Sequence, residues 1–148
     1  MYKRILLLVD SAESSGVAAE HAIAMALQCN AELTVLAVVD TATLKELLTY
    51  RIMVAQEMAE YEHELEQTGR RQLAQVEEHA RKAGVKVQSA HKKGAIHSVV
   101  VAHQEAIKAD LLVISAFKAT QITRDLLAKE KQFIIDEVKC DVMIVKRV

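Results

Sequence analysis

Ile5-Leu6-Leu7-Leu8-Val9, closed by Asp10-Ser11, is the stretch that decides the fold. Its unbroken apolar run leaves no face for water, which is the pattern of a strand covered on both sides within a parallel sheet. Leu33-Thr34-Val35-Leu36-Ala37-Val38-Val39 repeats the pattern and again ends on an aspartate, Asp40. Between the two runs Val17, Ala18, Ala22, Met25 and Ala26 recur at helical spacing, with Ser14 or Ser15 placed to cap the first turn and Asn30 near the end. Strand, helix and strand in this order form a right-handed βαβ unit.

Working outward, Thr43 with Glu46 three residues later reads as a capping box that starts the next helix at Leu44. From Leu44 to Ala83 there is no proline and no glycine but Gly69, and Met58, Tyr61, Leu65, Leu73, Val76 and Ala80 share one helical face. The stretch is expected to be one long helix or two in series, with a break near Thr49 to Ile52. Ala83-Gly84 stops it. Val85 to Ala90 alternates as an edge strand does, Gly94 turns the chain, and Ile96 to Ala109 reads as a helix carrying Val99, Val100, His103 and Ile107. Leu111 to Ile114 is another buried strand, Lys118 to Lys139 a polar helix-prone segment, and Val142 to Val145 the last strand. Strands alternating with helices specify a three-layer α/β domain, an open parallel five-stranded sheet with helices on both faces, spanning residues 1–148 as a single unit.

Composition narrows the function classes. The 19 lysines and arginines balance 20 aspartates and glutamates, so no net field draws the chain to nucleic acid or anionic lipid. The apolar run after Met1-Tyr2-Lys3-Arg4 meets Asp10 too soon to be a signal peptide, and no stretch approaches the roughly 20 apolar residues of a membrane span. Cys29 and Cys140 follow no metal or redox spacing and read as reduced thiols, so the expected location is cytoplasmic. His91, His97 and His103 recur every six residues, which puts successive side chains about 120° apart on a helix, so they build no metal-binding face. No nucleophile with a base, and no paired acid and base, falls at the ends of adjacent strands, so no catalytic residue is assigned.

Together, the first strand ending in Val9-Asp10-Ser11, the second ending in Val38-Val39-Asp40 and the closing Cys140-Asp141-Val142-Met143-Ile144-Val145 resemble the universal stress protein family over nearly the whole chain. The resemblance implies the Rossmann-like, adenine nucleotide alpha hydrolase-like sheet with strand order 3-2-1-4-5. Nucleotide-binding members carry, after strand 4, a glycine, two residues, a second glycine, nine residues and then Gly-Ser or Gly-Thr. Here those positions fall on Ser115, Lys118, Ala128 and Lys129, so every glycine of the pattern is replaced, and Lys139 and Asp141 stand where prolines usually flank the cysteine. Such glycines let backbone N–H groups close on phosphate oxygens in conformations that a Cβ disfavours. The resemblance also places Asp10 near an adenosine and gives Val39 the backbone position that reads adenine, leaving the adenosine half in place and the phosphate half impaired.

Asp10 and Ser11 at the end of strand 1 and Ser115 at the end of strand 4 would flank one crevice at the topological switch point, where open α/β sheets bind ligands. Asp10 has two readings, orienting a ribose or base, or accepting N–H groups of the next helix. Lys118, Arg124, Lys129 and Lys131 can supply charge in place of the lost cradle, but Asp125 and Glu130 lie among them, as on a solvated surface. Tyr61, Met53 and Met58 read as packing rather than a ligand cleft. The final strand, apolar at a sheet edge, favours pairing with a second copy through Val142, Ile144 and Val145. The expected function is a non-enzymatic, dimeric stress-response or regulatory domain that acts through a protein partner, with no cofactor. The alternative is an adenine-nucleotide or anion-binding module at the Asp10/Ser115 crevice, and a weak nucleotide hydrolase is the third class.

Overall fold

The computed structural model describes residues 1–9, 14–51, 54–116 and 124–146. Five strands, β1 (Arg4–Val9), β2 (Glu32–Asp40), β3 (Val87–Gly94), β4 (Leu111–Ser115) and β5 (Asp141–Val145), form one parallel sheet in the order β3-β2-β1-β4-β5. The helices are α1 (Ser14–Cys29), α2 (Thr41–Thr49), α3 (Ala55–Lys82), α4 (Ile96–Ile107) and α5 (Arg124–Glu137). The three layers are those expected from the strand and helix patterning, and the sheet order is the one the family resemblance implies.

Strand β1 is central, and its side chains divide between two cores. Ile5, Leu7 and Val9 pack with Leu33 and Val35 under α1 and α3. Leu6 and Leu8 pack with Leu36, Leu112 and Ile114 under α4 and α5. Each fully buried leucine or isoleucine contributes roughly 1.5–3 kcal/mol relative to an exposed one. Ala18, Ala22 and Ala26 give α1 a face of small side chains, so the helix lies close on the sheet. At the amino end, the Asp110 carboxylate accepts the backbone N–H groups of Lys3 and Arg4 at 2.9 and 3.1 Å, which fastens the start of β1 beside β4.

A smaller third core joins Val39 to Leu44 and Leu47 of α2, with Met58 and Leu65 of α3 against it. Met58 and Leu65 are thus packing residues, Tyr61 is exposed, and Met53 lies outside the described residues. Gly69 is buried in the middle of α3, where a Cβ would stand 3.0 Å from His91 Nε2, so this glycine marks a close approach to β3 and not a break. The α3 residues before Gly69 cover about 21 Å at 1.5 Å per residue and carry the helix past the last residue of β1.

Most boundaries fall within a residue or two of the sequence reading, and the larger differences have local causes. Helix α2 starts at Thr41, directly after β2, and not at Leu44, because Asp40 already stands at the N-cap position and Thr43 lies within the first turn. Strand β3 runs from Val87 to Gly94 and not from Val85 to Ala90. Val85 instead closes the end of α3, donating its N–H to Ala80 O at 2.9 Å after Gly84 at φ 85°, and β3 then pairs along β2 as far as Asp40. Helix α4 ends at Ile107, where Lys108 takes the left-handed cap conformation. The break between α2 and α3 falls where expected, with Arg51 at φ 56°.

Helix α3 begins at Val54, an N-cap in extended conformation with no side-chain cap bond, and Glu57 sits in its first turn. Val54→Ser completes a Ser-x-x-Glu capping box at an exposed position. We expect it to raise stability by about 1 kcal/mol, read as a higher urea midpoint at unchanged m-value.

Candidate functional site

Ligand sites in open α/β sheets lie at the carboxyl ends of the strands where the order reverses, which here is between β1 and β4. The pairing of β1 with β4 runs to Leu7–Val113, and each strand continues two residues beyond it, to Val9 and to Ser115. Ser115 is 1% exposed and has a polar or electrostatic partner of its own. Ala116 N–H donates to Val145 O at 2.9 Å, so hydrogen bonds to β5 come from the residues either side of Ser115, and the main chain of Ser115 itself turns to the β1 side. Strands 1 and 4 thus end together.

The same parity locates the open edge of β2. Leu33 N–H donates to Lys86 O at 2.9 Å and Glu32 N–H to Lys3 O at 3.0 Å. Odd-numbered residues of β2 therefore bond to β3 and even-numbered ones to β1. Val39 directs its main chain to β3, opposite Lys93, and buries its side chain in the third core. Val38 and Asp40, beyond the Val9–Ala37 pair, direct theirs toward the crevice. The sequence shows the end of a strand but not which of its residues faces which neighbour.

Asp10, Ser11 and Lys118 lie outside the described residues, so the crevice is defined by the strand ends alone. Helix α5 begins at Arg124 and runs through Ala128 and Lys129. Only the first four N–H groups of an α-helix lack an internal acceptor. In α5 those groups end at residue 126, and the amides of Ala128 and Lys129 are committed to carbonyls one turn back. Lys129 is exposed, and Lys131 is half-buried with a partner.

Glu130 is the residue that the sequence reading undervalued. Its carboxylate accepts the backbone N–H of His97 at 2.9 Å and contacts His97 Nδ1 at 2.7 Å. Helix α4 has Ala95 at its N-cap and therefore no side-chain cap of its own. The Glu130 carboxylate supplies that cap from α5, and Phe133 lies against the His97 ring at 4.9 Å. The three histidines do not share a helix, since His91 is on β3, and among the described residues no group of three His, Cys, Asp or Glu could hold a metal. Burial, and then Lys92, hold His103 below the usual imidazole range. Burial also raises the Cys140 thiol, with Asp141 adding to it, which keeps the sulfur protonated at neutral pH.

Strand β5 is an edge of the sheet. Its odd-numbered residues face β4, so Val142 and Ile144 leave their main-chain groups on the open side, and Ile144 is 37% exposed. Val145 is bonded toward β4 and packs in its own core. Among the described residues no helix is long and apolar enough to cross a membrane.

Comparison with known proteins follows this geometry. The universal stress protein family profile matches residues 1–146. The universal stress protein MJ0531 of Methanocaldococcus jannaschii is 30% identical over 148 residues, covering 99% of this chain and 84% of that protein. The solved structure of hypothetical protein MJ0577 superposes with a TM-score of 0.77 at 22% identity, covering 100% of this chain and 98% of that one. A universal stress protein family protein from Arabidopsis thaliana, solved with AMP bound, superposes with a TM-score of 0.67 at 16% identity over 99% of this chain and 92% of that one.

The inter-helix cap makes a stability prediction. Glu130→Ala leaves the His97 amide without its acceptor and should lower stability by about 1–2 kcal/mol. The exposed Lys129→Ala should change the urea midpoint by much less.

Proposed function

The chain belongs to the universal stress protein family, and we propose that it serves there as a non-enzymatic, dimeric regulatory domain that does not hold ATP in the family's usual way. The observation that carries this reading is the course of α5. The positions matching the family's final Gly-Ser are Ala128 and Lys129, and both lie inside a helix whose own hydrogen bonds use their amides. A side chain at each of Ser115, Lys118 and Ala128 further opposes wrapping of main-chain N–H groups around a phosphate. Without that cradle, the output of the domain is contact with a protein partner.

Dimerisation uses the open edge of β5. Val142 and Ile144 present unpaired main-chain groups there, and an antiparallel pairing with a second copy would satisfy them. Val145 takes part from behind, by holding the strand to β4.

A second reading has specific support in the AMP-bound relative from Arabidopsis thaliana and in the main-chain edge that faces the crevice. An adenine nucleotide would lie between the ends of β1 and β4, with Asp10, Ser11 and Ser115 flanking it and Lys118 and Lys129 near the phosphates. Its base would then meet the main chain of Val38 and Asp40 rather than that of Val39.

Calorimetric titration with ATP, with and without magnesium, separates the two readings. We expect no saturable heat and no nucleotide released when the purified protein is denatured. Stoichiometric heat that Lys118→Glu removes would establish the nucleotide module instead, and turnover to ADP or AMP abolished by Asp10→Ala would establish a hydrolase. Independently, Ile144→Lys places like charges across the two-fold axis, and sedimentation should show a dimer converted to a monomer with the fold retained.

A further inference from the structure

No further inference is drawn: the strongest candidate, the polar cleft of about 500 Å³ at the amino ends of β1 and β4 lined by Lys3, Arg4, Asn30, Glu32, Lys108 and Asp110, carries nothing, because Arg4 and Lys108 serve the carboxyl end of α4, Glu32 is held by Lys86 and Asp110 by the amides of Lys3 and Arg4, and among the described residues no unpartnered buried side-chain atom lines it to mark a ligand.

Discussion

Burial of β1 on both faces is the constraint from which the rest of the molecule follows. Five successive apolar side chains leave water no access, so odd-numbered residues must be covered by α1 and α3 and even-numbered ones by α4 and α5. The main chain of such a strand also needs partners on both sides, which β2 and β4 provide in parallel. Parallel neighbours require crossover helices, and these return every chain reversal to the two ends of the sheet. Once β1 lies in the middle, a crevice at its carboxyl end is a consequence of topology and owes nothing to any particular ligand.

The described chain after β4 resumes in α5. Glycines there would leave main-chain amides free to face an anion, whereas a longer helix consumes them. In this chain α5 extends through Ala128 and Lys129, and its Glu130 is turned to the bare amino end of α4. The same residue therefore ties two helices together. An amide bonded within a helix is not available to a ligand, so helix extension and anion binding draw on one set of donors.

The pair α2 and α3 answers to a different balance. Val39, Leu44, Leu47, Met58 and Leu65 form a core of their own beyond the end of β1, small enough that its helices are covered on one side only. Apolar residues that this core does not reach stay in water, as Leu48, Tyr50 and Val54 do. Their exposure is a cost to the isolated domain.

The sequence by itself determined the strands, the parallel sheet and the break between α2 and α3, because burial and backbone freedom are written residue by residue, whereas Ser115, Lys118, Ala128 and Lys129 stood out only through the resemblance to a family. Three things were decided only by tertiary structure. Hydrogen-bond parity turned Val39 toward β3 and Val38 toward the crevice, since parity depends on where the neighbouring strand begins. Pairing with β2 carried β3 on to Gly94, though Lys92 and Lys93 carry no strand signal of their own. Glu130 became the cap of α4 because two helices distant in sequence pack side by side, and a carboxylate finds its donor across space without leaving a pattern along the chain.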